Sequence, residues 1–193
     1  MTPTLSRSFY RRDPITVAND LLNKVLVRGD RAARIVEVEA YCGADDPGSH
    51  AYRGQTARNA TMFGPPGHLY VYFTYGMHHC ANVVCGDLAE GVAVLLRGLD
   101  PISGLDEMRA ARPAGRPERD LCRGPARLCQ AFELDRSFDG ADLVTGDRGI
   151  TVVDDGTPPP DAPGVSGRIG LSVAGDLPWR FFVRGAKGLS RPG

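Results

Sequence analysis

The stretch Arg34-Ile35-Val36-Glu37-Val38-Glu39-Ala40-Tyr41 decides how the rest of the chain is read. Val36, Val38 and Ala40 alternate with Glu37, Glu39 and Tyr41, which is the two-residue period of a β-strand. The two carboxylates and the tyrosine are therefore predicted on one face. We run this strand from Ala33 to Tyr41. Before it, Lys24 to Arg28 reads as a strand turned by Gly29-Asp30. Earlier still, Asp13-Pro14 opens a helix, with Asp as cap, Pro in the first turn, and Ile15, Ala18 and Leu22 on one stripe. After it comes a polar, Gly-rich stretch from Gly43 to Gly67, too long for a simple connection and therefore a candidate functional loop.

Further along, Leu69 to Tyr75 alternates again. Leu69, Val71 and Phe73 face one way, Tyr70, Tyr72 and Thr74 the other, and Tyr75-Gly76 ends the strand in a turn. Ala81 to Cys85 and Val92 to Leu99 read as two more strands with a short hairpin between them. Asp100-Pro101 is predicted to cap a helix carrying Ile102, Leu105 and Met108. Arg112 to Asp120 reads as a charged loop, and Gly124-Pro125 as the opening of a third helix with Leu128, Ala131 and Phe132. Short strands are expected near Ile150 to Val153, Ile169 to Val173 and Arg180 to Arg184. The Pro/Gly/Asp tract from Asp154 to Gly167 is expected to be mobile. Central strands with scattered helices define an α+β class with largely antiparallel pairing.

The 193 residues, 42% of them hydrophobic, suit one domain spanning 1–193 with a core of ordinary size. The 24 Gly and 15 Pro make the chain loop-rich without the composition of a disordered one. The 23 basic residues balance 23 acidic ones, which excludes a grossly basic nucleic-acid coat but not a local basic face. Only Lys24 and Lys187 are lysine; the arginine bias reads first as a GC-rich genome, and it also supplies forked contacts for phosphate. Met1 to Arg7 has no apolar stretch like a signal peptide, and the longest aliphatic run, Val92 to Leu96, is too short for a bilayer. Cys42, Cys80, Cys85, Cys122 and Cys129 are odd in number and irregular in spacing, as expected of reduced thiols in a cytoplasmic protein.

Several chemistries fail on spacing. His78 and His79 are adjacent on a strand and point to opposite faces, so no metal site is expected; the H-x-E and P-C-x-x-C patterns of zinc deaminases are missing. Nothing beside Cys42 or Cys80 activates a Cys–His pair with His50. Gly64-Pro65-Pro66-Gly67 is a turn, not a phosphate cradle. The Glu37/Glu39 strand says more. A solvated face is the ordinary reading of such carboxylates, but three tyrosines follow within six positions beyond the long loop. A carboxylate among aromatics and without metal suits polarising a water beside a flat ring. For Tyr70 and Tyr72 an ordinary place in the core or on the sheet surface fits as well as a place beside such a ring.

Taken together, Arg34 to Tyr41, Asp45-Asp46, His50, Gly54 to Asn59, Met62-Phe63, Pro66 to Met77, Asn82, Leu95-Leu96-Arg97, Arg123 to Cys129, Arg168-Ile169-Gly170 and Arg180 to Gly185 resemble, in order, the alkyladenine (3-methyladenine) DNA glycosylase family. The resemblance implies one domain with a curved antiparallel sheet surrounded by helices. It implies a monofunctional enzyme that needs no cofactor, acts on double-stranded DNA containing damaged purines, and takes the damaged nucleotide out of the stack.

By this resemblance Glu39 is the general base for a water, with Arg97 and the Ile169 carbonyl helping to hold that water. Tyr41 and Tyr72 sandwich the base, His50 closes the edge, and Asn82 near the pocket floor disfavours guanine's exocyclic amine. Tyr75 is the aromatic wedge, and Glu37 has no catalytic part. Arg58, Arg123, Arg127 and the amides at the Gly124 helix start are candidate phosphate contacts, their alternative being ordinary exposed charge. A monomer at the nucleoid, without membrane contact, is the expectation, and the two lysines lie outside the motifs, so no lyase step is expected. The rivals are a non-catalytic nucleic-acid-binding module of the same fold and a small-nucleoside hydrolase, which would need no wedge.

Overall fold

Strand β2 (Arg31–Tyr41) is the centre of the molecule, and both its edges are paired. In the computed structural model, which describes residues 2–113 and 117–191, β2 follows β1 (Val25–Arg28) across the Gly29-Asp30 turn. Its other edge takes β5 (Ala93–Ser103), in register from Ala32↔Ser103 to Tyr41↔Ala93. β3 (Leu69–Thr74) and β4 (His78–Val84) form a hairpin that extends the sheet beyond β5, and β6 (Ile150–Val153) extends it beyond β1. Where β1 ends, β8 (Arg180–Phe182) takes over the same edge of β2 at Glu37–Glu39, and β7 (Gly164–Ser166) pairs with β8. All these pairings are antiparallel, so the α+β, antiparallel expectation holds.

The alternation on β2 breaks once. A bulge between Ile35 and Val38, where Glu37 faces Gly98, puts Ile35, Val38 and Ala40 in the main core while Val36 packs with Phe182 and Leu189. An extra residue re-aims side chains locally, and here both faces of the strand are buried, carboxylates included.

The helices are short: α1 (Arg7–Tyr10), α2 (Pro14–Leu21), α3 (Leu105–Ala110) and α4 (Pro125–Ala131) among the described residues. Asp13 caps α2 by accepting from the amides of Ile15 and Thr16 at 2.9 and 3.0 Å. α4 packs on β4 and β5 through Leu128, Cys129 and Ala131.

Three expectations need correction. Asp100-Pro101 does not start a helix: β5 continues to Ser103 because β2 is long enough to pair with it, and α3 starts only after Gly104, held at φ 70°. Ile169 to Val173 is not a strand but a sequence of bends, with Val173 exposed. The strand lies earlier, at Gly164–Ser166, inside the Pro/Gly/Asp tract, whose Asp154 and Asp155 pair with Lys24 and Arg34. Of the loop expected from Arg112 to Asp120, residues 114–116 lie outside the described residues; Glu118–Asp120 is a single 3-10 turn. No helix among the described residues is long and apolar enough to cross a membrane.

Candidate active site

Glu39 has no solvent-accessible surface. Its Oε1 accepts the Ile169 amide at 2.7 Å, its Oε2 accepts the Tyr41 hydroxyl at 3.1 Å, and Arg97 Nε stands 3.4 Å from Oε1. A carboxylate has about four lone-pair positions, so about two are not used by these two hydrogen bonds. Burial pushes the Glu39 carboxyl above its ordinary range; Arg97, the Ile169 amide and Tyr41 pull it back, and Glu37 adds to the rise. A base tuned upward in this way is what proton abstraction near neutral pH requires.

Tyr41, which bonds Glu39, also lines a small cavity together with Gly48, His50, Met62, Tyr72, Asn82 and Leu171; Glu39 itself is not part of its lining. Tyr72 stacks on Tyr70 with centroids 5.3 Å apart, and His50 meets Tyr72 edge-on at 4.6 Å. His50 Nδ1 lies 3.2 Å from the Tyr70 hydroxyl, and burial, then Arg58, lower its pKa, which favours the neutral imidazole. Asn82, opposite Tyr70 in the hairpin, donates to the Tyr70 carbonyl at 3.2 Å. The long loop is held in place by Asn59, whose Nδ2 donates to the carbonyls of His50 and Gly54. A wider cleft of about 540 Å³ lies elsewhere, lined among others by Arg11, Arg12, Asp13, Asp45, Asp87 and Glu90. It presents mixed charge and no aromatic ring, and offers a flat base nothing to stack on.

Two buried ion pairs that the sequence reading left without a role frame the site. Arg168 and Asp46, both side chains fully buried, form a bidentate pair at 2.5 and 2.7 Å. The guanidinium lies 4.6 Å above the Tyr41 ring and 5.0 Å from Trp179, so one face of Tyr41 is covered and the ring is immobilised. A Cβ on Gly48 would fall 2.8 Å from that guanidinium, which is why glycine stands at this point of the pocket wall. Glu37, also fully buried, accepts from Arg180 Nε at 2.6 Å and from Ser190. Three buried carboxylates therefore face three buried guanidiniums, and the cluster carries no net charge. The contacts span more than a hundred residues, and no local pattern signals them.

Tyr75 stands at the tip of the β3–β4 hairpin, 81% exposed. Tyr75 and Gly76 both have positive φ, 51° and 67°, and the Met77 amide bonds the Thr74 carbonyl, the pattern of a type I′ turn. An exposed tyrosine in the left-handed region is a strained choice where asparagine or glycine would be easier, and such strain marks functional positions.

Arg58 is exposed beside this hairpin and donates to the Phe73 carbonyl at 3.3 Å. Arg123 and Arg127 sit apart from it, both facing Asp120 at the start of α4, and Arg123 Nε also donates to the Leu189 carbonyl at 2.6 Å. Gly124 is buried with its N–H committed to the Cys122 carbonyl, and Pro125 has none, so neither of these two residues offers an amide to a phosphate. As for Cys–His chemistry, burial pushes the Cys42 thiol up to about 12 and raises Cys80 as well, so neither is a ready nucleophile.

A buried carboxylate bonded to the tyrosine of an aromatic pocket, on a curled antiparallel sheet with a strained tyrosine at one hairpin tip, defines a class of base-handling enzyme. The chain belongs to the methylpurine-DNA glycosylase family, whose model matches residues 8–187. It is similar to proteins provisionally named 3-methyladenine DNA glycosylase. The one from Burkholderia lata is 57% identical over 189 residues, covering 97% of this chain and 91% of that protein. Those from Streptomyces avermitilis and Carboxydothermus hydrogenoformans are 50% and 46% identical, covering 93% and 97% of this chain and 87% and 98% of theirs. The protein is thus a DNA glycosylase of the 3-methyladenine type, a DNA-repair hydrolase of N-glycosyl bonds.

Proposed function

We propose that the protein rotates alkylated purines, and less readily deaminated ones, out of duplex DNA and hydrolyses their N-glycosidic bond with a water activated by Glu39. The observation that carries this reading is the Glu39 carboxylate, buried, fixed by Tyr41 and the Ile169 amide, with acceptor positions left beside the aromatic cavity. The water's oxygen bonds to the anomeric carbon as the C–N bond breaks, its proton passes to Glu39, and the bonding pair leaves with the base. An alkylated purine is already cationic and departs neutral. A deaminated purine must gain a proton, so it should react more slowly. Tyr41, Tyr72 and His50 are the residues against which the flipped base stacks, Asn82 screens its edge, and Tyr75 fills the gap left in the helix.

Arg58, beside the wedge hairpin, is the phosphate contact best placed to act with it, and Arg127 and the free part of Arg123 are the others. The reaction stops at the abasic site, because Lys24 is buried against Asp154 at 2.8 Å and Lys187 lines a different cleft. One chain carries every residue of the site, so a monomer is the acting unit. The test is single-turnover base release from matched duplexes bearing a methylated purine, ethenoadenine or hypoxanthine, with Glu39→Gln alongside. We expect lesion-dependent release, fastest for the cationic base and at least tenfold slower in the variant. Equal release by the variant would overturn the role of Glu39, release from free nucleosides alone would mark a nucleoside hydrolase, and lesion binding without release a non-catalytic binder.

A further inference from the structure

Beyond the matched segment, the chain turns back and lies against β5. The Gly188 amide donates to Asp100 Oδ1 at 2.6 Å, the Leu189 carbonyl accepts from Arg123, and the Arg191 carbonyl accepts from Arg180 at 3.0 Å. A Cβ on Gly98 would fall 2.4 Å from the Gly188 carbonyl, and one on Gly188 2.3 Å from that of Leu99, so this close passage needs both glycines. The segment delivers Ser190 to the back of the site. Its amide and hydroxyl bond the two oxygens of Glu37 at 2.5 and 2.8 Å, and its hydroxyl accepts the Nε–H of Arg97 at 3.1 Å.

Arg97 Nε carries a single hydrogen. It bonds Ser190, while Glu37 Oε1 and Glu39 Oε1 stand at 3.3 and 3.4 Å. We propose that Ser190 and Glu37 are positioning residues that hold the Arg97 guanidinium beside Glu39 while occupying its Nε–H, so that its charge reaches the carboxylate but the acceptor positions stay open for water. The proposal rests on the reading of Glu39 as the base. It explains why a strand carrying a catalytic glutamate carries a second buried one two positions earlier. The groups facing Glu39 are Glu37 and Tyr41 on β2, Arg97 on β5, Cys80 on β4, and Arg168 with the Ile169 amide from the bends before β8. Of these, Arg97 alone is shared with the second glutamate.

The experiment is the pH profile of single-turnover release from a methylated-purine duplex by wild type, Ser190→Ala, Ser190→Thr, Glu37→Gln and Glu39→Gln, with lesion-DNA affinity and Tm beside it. Ser190→Ala frees the Nε–H to bond Glu39 directly. The acid limb should then move down by about one pH unit and the plateau fall about tenfold, with affinity unchanged. Ser190→Thr keeps the hydroxyl and should restore both. Glu37→Gln removes a like charge and should also move the limb down, and it serves as the test if Ser190→Ala does not fold. A lower Tm or slower release with an unmoved limb would mean that the segment is only structural and overturn the proposal. Undiminished release by Glu39→Gln would overturn the Glu39 reading, and the proposal with it; a normal loss there and an unmoved limb in the others overturns the proposal alone.

Discussion

The Tyr41 hydroxyl donates to Glu39 Oε2 at 3.1 Å, so one residue both offers a ring to the base and helps hold the carboxylate in its ionised form. Removing the hydroxyl in Tyr41→Phe leaves the ring in place and takes one donor from the charged carboxylate. A hydrogen bond to a charged group is worth roughly 1.5–3 kcal/mol, so the Glu39 pKa should rise by about one unit and the acid limb of activity should move to higher pH. Base release followed from pH 5 to 9 checks it; a limb moving the other way would show that the hydroxyl does not support the carboxylate.

Glu39 also links stability to pH. Burial lifts its pKa in the folded protein above the unfolded value, so the folded state holds the extra proton between the two. Stability from this group is fully present below the unfolded pKa and is lost as pH rises through the folded one. Glu39→Gln, a neutral isostere of the protonated acid, should therefore raise Tm at pH 7.5 while slowing release at least tenfold, and its stability advantage should vanish in acid. Thermal melts of both proteins between pH 4.5 and 8 test this.

Arg168 and Asp46 are both fully buried, so truncating one strands the other. Asp46→Ala should cost about 3–5 kcal/mol. Urea unfolding of the variant against wild type measures it, and a loss of less than about 1 kcal/mol, the worth of a surface pair, would contradict the burial of this pair.

Tyr75 carries backbone strain at φ 51° with its side chain in solvent. Glycine adopts this conformation without penalty, and Tyr75→Gly should match wild-type stability or exceed it by up to about 1 kcal/mol. Lesion-DNA affinity and release should both fall, because the wedge is gone. A stable variant that still excises at the wild-type rate would remove Tyr75 from the mechanism.

Much of this architecture was readable from local patterns. The β2 strand itself, the Asp13-Pro14 cap and the Tyr75-Gly76 turn depend on neighbours a few positions apart and stand where their residues imply; the period holds from Val38 to Tyr41, and the bulge at Glu37 takes Val36 out of it. The family motifs likewise point to Tyr41, His50 and Tyr72, which line one cavity, and to Glu39, which Tyr41 bonds. What local pattern missed was decided by partners far along the chain. Pro101 is strand because Ala33 pairs with it, and Ile169 lies in a bend because its amide is taken by a carboxylate 130 positions away. Arg168 on Asp46, Arg180 on Glu37 and Ser190 on Arg97 join residues 122, 143 and 93 positions apart. Periodicity and turn chemistry are short-range and survive in sequence. The burial of a charge is affordable only when its partner arrives from elsewhere, and it is the curled sheet, with the segments packed on it, that brings these partners together.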